Sequence, residues 1–461
     1  MRFNFFTAAK FVLFLSALYV GVVVSSSLFP FIVGKYVWFR VSVDVALILT
    51  LLGLVLQQDA DRYLMRLRAV IRSPLSVAVL VFVVVFLLAG FFGVDPALSF
   101  WSNFERGEGG IQILHLGLFF FLLSLLLEAK EDWERLFRWA LWGGALMVAY
   151  GIFTGFGYQG FIGPQFGDPS YRFQGTIGNP AYVAAFVIFL FFYIAYLFHV
   201  KRRDRKLVSF GSAVLALITL AFLAAFYLAA TRGAFLGLAA AIAAFLGYFA
   251  FSHRVWRKWL ITAGILLAAL VFTLIQFKDA PLIKNLPGSR IFDISFSTAT
   301  FQHRTIMWGI ALSGFKERPV LGWGPENYIQ VFDRHFNTRY FKPGEAFGAW
   351  FDRAHSVVFD YLAETGALGL LSYLAIFAVF YFQFFAMVRA RKENRSIFVE
   401  SLLFALPVAY FVQGIVLFDV LTIYYNWYLF LAFSLFYFRS VESEPGTMSP
   451  PPRGAERHLK P

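Results

Sequence analysis

One short stretch of the chain combines side chains that can do acid–base chemistry. Residues 351–355 read Phe-Asp-Arg-Ala-His and lie just before a long apolar run. Histidine has an ordinary pKa near neutral pH, so His355 can take a proton from an attacking hydroxyl group. Arg353, two residues earlier, can bind an anionic group beside it. We therefore take His355 as the candidate catalytic base.

Two further arginines lie where they could bind an anion. Arg232 is in the short connection between two apolar runs, at the predicted start of a helix, and helix N-termini favour anions. Arg304 lies in a helix predicted over about 298–315, one turn before Trp308 and on the same face. Guanidinium groups suit pyrophosphate oxygens, so these residues and His355 describe group transfer from a lipid pyrophosphate to a hydroxyl. Such arginines also anchor helices at membrane surfaces or occur in transporters, so the alternatives stay open.

Three other polar residues are candidate substrate contacts. Glu105 and Arg106 lie in an aromatic and charged stretch, residues 99–109, where the alternative is an ordinary interfacial belt of aromatic residues. Asn179 precedes Pro180, and this pair is also typical of a helix N-cap followed by the first helical turn. Trp308 is the fourth candidate because it shares a helix face with Arg304.

The sequence predicts neither a metal site nor a cofactor. The chain has 7 histidines and no cysteine, and the histidines lack the HExxH pattern or close carboxylates of a zinc site. A Gly-x-Ser-x-Gly nucleophile motif and a Walker or dinucleotide glycine pattern are also missing from the sequence. The candidate chemistry therefore depends on histidine and arginine alone.

The composition is that of a membrane protein built from α-helices. The chain of 461 residues is 59% hydrophobic and only 15% charged, whereas a soluble domain has roughly a quarter charged residues. Apolar runs of about 20 residues predict transmembrane helices. We predict an all-α polytopic fold with about twelve such helices. The runs cover residues 11–33, 41–56, 75–92, 111–127, 136–155, 180–198, 207–230, 233–251, 258–276, 366–388, 400–418 and 424–438.

The distribution of positive charge predicts the orientation. Lysines and arginines of the short loops fall mostly on one side of the twelve-helix topology, with clusters at 62–72 and 201–206. The positive-inside rule assigns that side, with both termini, to the cytoplasm. It also accounts for the net charge of +13, so nucleic acid is not an expected partner.

This topology divides the chain into four parts. Residues 1–276 carry the first nine helices, and residues 277–354 form one large outer loop with short amphipathic helices. Residues 355–440 carry the last three helices, and the polar, proline-rich residues 441–461 form a disordered cytoplasmic tail. Asp352 is expected to cap the helix that follows the loop, with His355 in its first turn. Glu364 is then expected to face away from His355.

Several short motifs occur in series and give the chain a family resemblance. With the topology, they resemble the O-antigen ligase/polymerase superfamily of bacterial membrane glycosyltransferases over about residues 95–370. The motifs are Ser99 to Gly109, Gly178-Asn179-Pro180, Thr231-Arg232-Gly233-Ala234, Arg304 with Trp308, Pro319 to Tyr328, Ala354-His355, Leu362 to Gly366, and Gly369.

The resemblance implies a fold, a substrate and roles for the candidate residues. It implies a GT-C-type enzyme in the bacterial inner membrane, with a periplasmic site and a glycan donor linked to undecaprenyl pyrophosphate. Arg232 and Arg304 would hold the pyrophosphate, His355 would activate the acceptor hydroxyl, and Arg353 would be a further phosphate contact. The reaction would be inverting and independent of metal. Ser356 stands where many members have asparagine, so the sequence does not choose the acceptor.

Alternatives remain within and outside this class. The acceptor could be a glycolipid, a growing glycan or a protein, which would make the enzyme a ligase, a polymerase or a protein O-oligosaccharyltransferase. A transporter of polysaccharide or lipid is the alternative of another class. Transporters often show internal repeats and charged, broken helices at the membrane centre, and the sequence shows neither. Membrane lipids are expected partners in every case.

Overall fold

A computed structural model describes most of the chain, and its regular structure is helical. The described residues are 4–57, 59–168, 171–203, 209–284, 299–338, 350–390 and 396–442, and they contain no β-strand. The tail predicted to be disordered lies outside the described residues from 443 onward. The helices are α1 Phe5–Ser16, α2 Val33–Leu56, α3 Ala60–Arg72, α4 Pro74–Phe91, α5 Pro96–Trp101, α6 Gly110–Leu126, α7 Lys130–Gly155, α8 Pro180–Arg203, α9 Phe210–Leu228, α10 Arg232–Ser252, α11 Arg257–Gln276, α12 Pro281–Lys284, α13 Ala299–Glu317, α14 Tyr328–Arg334, α15 Val357–Glu364, α16 Gly366–Ala390, α17 Ile397–Gly414 and α18 Leu421–Glu442.

Ten of these helices are long and apolar enough to cross a membrane. They are α2, α4, α7, α8, α9, α10, α11, α16, α17 and α18, and each coincides with a predicted apolar run. Two shorter apolar helices, Phe5–Gly21 and Gly110–Leu126, lie at the other two predicted positions. The described residues therefore confirm the prediction of a helical, multi-pass membrane protein.

The first apolar run is helical over a different range from the one predicted. The sequence predicted a span over 11–33, but α1 and a short 3-10 helix, Ala17–Gly21, end the helical part early. The following residues form turns, in which the Val24 N–H donates to the Pro30 carbonyl at 3.0 Å. Three serines and a proline interrupt this run, and they favour turns over helix.

The main apolar core joins helices from distant parts of the chain. Helix α18 lies in its centre with fully buried Trp427 and Tyr428, and α10 packs closely along α17. That close approach depends on Gly237 of α10, since a Cβ atom there would lie 2.9 Å from the Ala409 carbonyl oxygen. Small residues at such contacts let helices in a membrane protein approach. The packing fixes the N-terminal end of α10, which carries Arg232.

A second, smaller apolar core lies in the long segment between α11 and α16. The helix predicted over 298–315 is present as α13, and it packs against α14 and α15. Its apolar residues contact this second core. The indole of Trp308 stacks on the ring of Phe359 of α15, with centroids 5.1 Å apart. The buried members are Met307, Ile310, Ala311, Trp323, Tyr328, Val331, Phe332, Ala354 and Ala363.

Candidate functional site

The backbone before α15 differs from the predicted cap. Helix α15 begins at Val357 with Ser356 as its N-cap residue, so Asp352 is not the cap and His355 is outside the first turn. The Asp360 carboxylate accepts a hydrogen bond from the Ala354 N–H at 2.6 Å, which holds the chain in a turn. His355 adopts a φ of +57°, a left-handed conformation that ends any helical continuation on this side.

The imidazole of His355 has a defined orientation. Its Nδ1 lies 3.1 Å from the Arg353 carbonyl oxygen, which can only accept. Nδ1 therefore carries the proton, and Nε2 of the neutral ring is left as the acceptor. The ring packs edge-on against Phe351 and Phe418, at centroid distances of 5.0 and 5.2 Å. Burial lowers the pKa of His355, so the ring is neutral at pH 7.

Arg304 and Trp308 present buried hydrogen-bond donors one helical turn apart on α13. Among the described residues, neither Nε of Arg304 nor Nε1 of Trp308 has a hydrogen-bond partner. Buried donors are normally paired, and an unpaired one is costly. The charge of Arg304 also lowers the pKa of His355, so the guanidinium and the imidazole lie within electrostatic reach of each other. Two adjacent donors beside a base are suited to a ligand with several acceptor oxygens.

Arg232 is the first residue of α10 and lies near Arg304. Burial and the positive charge of Arg232 both lower the pKa of Arg304, so the two arginines repel each other. The turn before Arg232 is held by Arg172, which donates to the Ala229 carbonyl at 2.8 Å and to Thr231 Oγ1 at 2.9 Å. Arg304 is thus coupled by charge to both Arg232 and His355. Two neighbouring cations favour a multiply charged anion between them.

Arg353 points into the protein interior. Its Nη1 donates to both carboxylate oxygens of Glu364, at 3.0 and 3.1 Å, and its Nη2 donates to Glu326. A third carboxylate, that of Glu108, lies 3.6 Å from Nη2. Glu364 was expected to face away from His355, and it does so by pairing with Arg353. The guanidinium is engaged by protein carboxylates, so the geometry favours a supporting role for Arg353 over the predicted phosphate contact.

Several carboxyl groups surround the single positive charge of Arg353. Burial raises the pKa of Glu108 to about 8 and that of Asp360 to about 7, in spite of the arginine nearby. Protons are therefore held in this cluster at neutral pH. Glu108 also binds another part of the fold, since its Oε1 accepts from the Leu421 N–H at 2.9 Å, at the start of α18. Among the described residues, no three histidine or carboxylate side chains are grouped so as to hold a metal ion.

Backbone strain is concentrated at this site. The non-glycine residues with positive φ in the described part of the chain are Ser102, Ala230, Glu326 and His355, at +62°, +46°, +66° and +57°. Ala230 lies two residues before Arg232, and Ser102 Oγ donates to Glu326 Oε2 at 2.7 Å. Each such residue costs of order 1–3 kcal/mol and persists only where its surroundings hold it. Strain of this kind typically clusters at functional sites.

Arg106 links the loop of His355 to a separate cavity. Its Nε and Nη2 bind the two carboxylate oxygens of Asp352 at 2.8 and 3.1 Å, and its guanidinium lies over the Phe418 ring at 5.0 Å. Burial alone would raise the pKa of Asp352, but the hydrogen bonds and charge of Arg106 lower it. The predicted contact residue Arg106 is therefore linked to the loop of His355 by Asp352, the residue that the sequence predicted as a helix cap.

The cavity beside Arg106 has a volume of about 220 Å³ and brings the other predicted contacts together. Glu105, Arg106 and Asn179 all line it, although they come from separate loops. Asn179 is also the N-cap of α8, since its Oδ1 accepts from the Ala181 N–H at 2.8 Å, which confirms that structural prediction. Trp308 is not among the lining residues, because it packs in the second core.

Sequence reasoning did not find four residues that shape the site. Glu108, Glu326 and Asp360 surround Arg353, and Lys35 lines the cavity. Glu108 and Glu326 lie in two of the motifs quoted above, at the ends of glycine-rich turns. A carboxylate in an apolar, glycine-rich turn was therefore the available signal. No comparable signal marked Lys35, which stands at the start of an ordinary apolar helix.

Fold and site together define a multi-pass helical membrane protein in which a neutral histidine lies within electrostatic reach of two coupled arginines. The family model described as O-antigen ligase matches residues 217–374. The matched region contains Arg232, Arg304, Arg353 and His355, and it runs from α9 into α16. The match confirms the resemblance to the O-antigen ligase superfamily and implies a membrane enzyme with glycosyltransferase-like activity on lipid-linked glycans. No curated protein matches the chain significantly.

Proposed function

We propose that the protein transfers a glycan from undecaprenyl pyrophosphate to a hydroxyl acceptor at the outer face of the bacterial inner membrane, as an O-antigen ligase does. One observation carries this proposal: Nε2 of a neutral His355 is available as a base within electrostatic reach of Arg304, which is in turn coupled to Arg232. A base beside paired cations suits attack by a hydroxyl on a carbon that bears a pyrophosphate.

The donor pyrophosphate is bound by Arg232, Arg304 and Trp308. Nε of Arg304 and the indole N–H of Trp308, which lack a partner in the described part of the chain, would donate to its oxygens. A ligand with several negative charges would also relieve the repulsion between the two arginines. This arrangement stabilises the charge that develops on the leaving pyrophosphate as the bond to the sugar breaks.

The acceptor hydroxyl is activated by His355. Its proton goes to Nε2, its oxygen forms the new bond to the anomeric carbon, and the bond between that carbon and the pyrophosphate oxygen breaks. The lipid pyrophosphate leaves with the electron pair, so atoms and charge balance in a single displacement. Attack from the side opposite the leaving group inverts the anomeric configuration. The arginines supply the positive charge, so the proposed reaction uses no metal ion.

Arg353 has a positioning role in this mechanism. Its carbonyl orients the imidazole, and its guanidinium is fixed by Glu326 and Glu364. Arg106 fixes the same loop through Asp352. The phosphate contact predicted for Arg353 is therefore replaced by support of the base.

The proposed topology places this site outside the cytoplasm. We propose twelve spans with a GT-C-type arrangement and both termini in the cytoplasm, with residues 277–354 in the periplasm. The proposal counts the ten long helices and, in addition, the two shorter apolar helices Phe5–Gly21 and Gly110–Leu126 as spans. The basic loops support this orientation.

The test is glycan transfer in cells that depend on this protein. We expect His355→Ala and Arg304→Ala to abolish transfer while the protein is inserted at normal levels. His335→Ala and Arg318→Ala are matched controls from the same long segment, and they should keep activity. Normal transfer by the two site variants would refute the proposal. The product then identifies the acceptor: a capped lipid for a ligase, a ladder of repeats for a polymerase, or a glycoprotein for a protein oligosaccharyltransferase.

A further inference from the structure

A buried lysine lines the cavity beside Arg106. Lys35, in the first turn of α2, is only 3% exposed. Its ammonium donates to two backbone carbonyls, those of Val22 at 2.6 Å and Thr176 at 2.7 Å. Among the described residues, no carboxylate forms an ion pair with it. Burying a charge is costly unless an opposite charge compensates it, and neutral carbonyls do so only in part.

The other charges around the cavity are already matched. Arg106 pairs with Asp352, and Glu105 lies 3.7 Å from the same guanidinium. The Glu105 side chain is 45% exposed, so water screens its charge. Among the described residues that line this cavity, Lys35 is therefore the charged group that lacks an opposite charge. An anionic group on a ligand would supply the negative charge that compensates the ammonium of Lys35.

The remaining walls suit a sugar ring. The rings of Phe31, Tyr36 and Tyr182 line the cavity, and Asn179 and Glu105 offer polar groups to hydroxyls. Aromatic faces beside a few polar groups are typical of sites that orient a small polar ligand. The volume of about 220 Å³ is below the range of about 300–1,000 Å³ that is usual for drug-sized ligands, so it suits one sugar residue.

The cavity adjoins the candidate base. The ring of Tyr182 on its wall packs against Phe418 with centroids 5.6 Å apart, and Phe418 in turn contacts His355. Arg106 reaches from the same wall to Asp352, three residues before His355. A sugar bound in the cavity is thus next to the residue that activates the acceptor hydroxyl.

We propose that this cavity binds an acidic sugar residue of the acceptor, with its anionic group at the ammonium of Lys35 and its ring against Tyr36 and Tyr182. This inference rests on the proposed function for its assignment to the acceptor, but the binding itself does not. The anionic group is a carboxylate or a phosphate carried by the sugar. The headgroup of an anionic phospholipid could also bring a negative charge to Lys35, so the experiment distinguishes such a lipid from the sugar.

The test measures binding of two matched glycosides to the full chain in nanodiscs of zwitterionic lipid. Methyl β-glucuronide and methyl β-glucoside differ only at C6, which is a carboxylate in the first and a hydroxymethyl group in the second. Saturation-transfer NMR titrations give both dissociation constants. We expect the glucuronide to bind at least about fivefold more tightly, as is usual for one partly buried ion pair. Lys35→Gln should remove this preference, because glutamine can still donate to the carbonyls but lacks the charge. Lys316→Gln makes the same charge change at an exposed residue and should preserve the preference.

A second variant keeps the test decisive if Lys35→Gln does not fold. The Glu105 side chain is half-exposed, so Glu105→Gln should fold. Removal of its negative charge should raise the ratio of glucuronide affinity to glucoside affinity about twofold, because the hydroxyls it can contact are common to both glycosides. Equal affinity of the wild-type protein for the two glycosides, or a preference that survives Lys35→Gln, would overturn the proposal. Displacement of the glucuronide when phosphatidylglycerol is added to the nanodiscs would also overturn it, in favour of a lipid headgroup site.

These outcomes are separate from those of the transfer experiment. Glycoside binding is read without any donor, so it does not require His355 or Arg304 to act in transfer. A preserved glucuronide preference with transfer intact in His355→Ala would refute the proposed function alone. Equal affinity of the wild-type protein for the two glycosides, with transfer still dependent on His355, would refute the acidic-sugar site alone.

Discussion

Replacement of Arg353 by methionine separates two roles for this arginine. The side chain is buried, and it is the cation that holds Glu326 and Glu364 together. Removal of one partner from a buried ion pair costs about 3–5 kcal/mol, because the opposite charge remains buried. Burial already raises the pKa of Glu364, so part of this cost is relieved by protonation, and we expect a loss near 3 kcal/mol.

The same change should lower the turnover rate. The Arg353 carbonyl orients Nδ1 of His355, and the guanidinium anchors that part of the backbone. A misplacement of about 1 Å at a reacting group can cost about 100-fold in rate. We therefore expect kcat to fall by about 10- to 100-fold, while the KM for the lipid-linked donor stays the same because Arg232 and Arg304 are untouched.

The assay is transfer by the purified protein in detergent, with thermal unfolding measured on the same samples. Arg353→Lys keeps the charge but cannot bind two carboxylates as a guanidinium does, so it should lie between wild type and Arg353→Met. Arg353→Met combined with Glu364→Gln removes both charges and should recover part of the stability. A rise in donor KM with kcat unchanged would refute this reasoning, because it would make Arg353 the phosphate contact that the sequence suggested.

Three further predictions concern pH and backbone strain. Burial lowers the pKa of His355 from 6.5, so its neutral form is lost only as the pH falls below that value. The acidic limb of the pH profile of kcat/KM should therefore lie below pH 6.5. A limb above pH 7 would contradict this prediction. Glu108 has a raised pKa of about 8, so the folded state holds a proton that the unfolded chain releases, and stability should fall between pH 5 and pH 8 by up to about 1.4 kcal/mol per pH unit for each such proton. The melting temperature should drop from pH 6 to pH 9 and drop less in Glu108→Gln; a rise would be inconsistent with protonated carboxylates. Ala230 has a φ of +46°, so Ala230→Gly should raise the free energy of unfolding by about 0.5–1 kcal/mol, measured with denaturant or heat. Ala229 has a φ of −66°, so the control Ala229→Gly should lower it. The opposite order would contradict the inferred strain at Ala230.

The sequence predicts the helices well because their signal is local. An apolar run of about 20 residues specifies a span regardless of its neighbours, and ten helices coincide with predicted runs. The N-cap at Asn179 is likewise a property of adjacent residues. The early end of the first helix, at Gly21, was missed because hydrophobicity alone does not register the turn that serine and proline residues favour.

The site is less predictable because its contacts join distant segments. Glu108, Glu326 and Glu364 meet at Arg353 from three parts of the chain, and no spacing in the sequence relates them. Asp352 illustrates the same limit: the local rule suggested a helix cap, but Arg106 from a loop 246 positions away binds it. A charge-assisted pair of hydrogen bonds is stronger than a single cap, so the distant partner determines the conformation.

The loop of His355 therefore owes its geometry to residues outside it. Asp352 is held by Arg106, Arg353 by two glutamates, and the Ala354 N–H by Asp360, so successive residues are fixed from different directions. A left-handed φ at His355 is unfavourable in isolation, and these contacts together can hold it. The His355 imidazole is consequently oriented only when the loops of Arg106 and Glu326 and helix α15 have packed together. Substitutions at these supports should reduce turnover before they affect donor binding, because Arg232 and Arg304 lie on other helices.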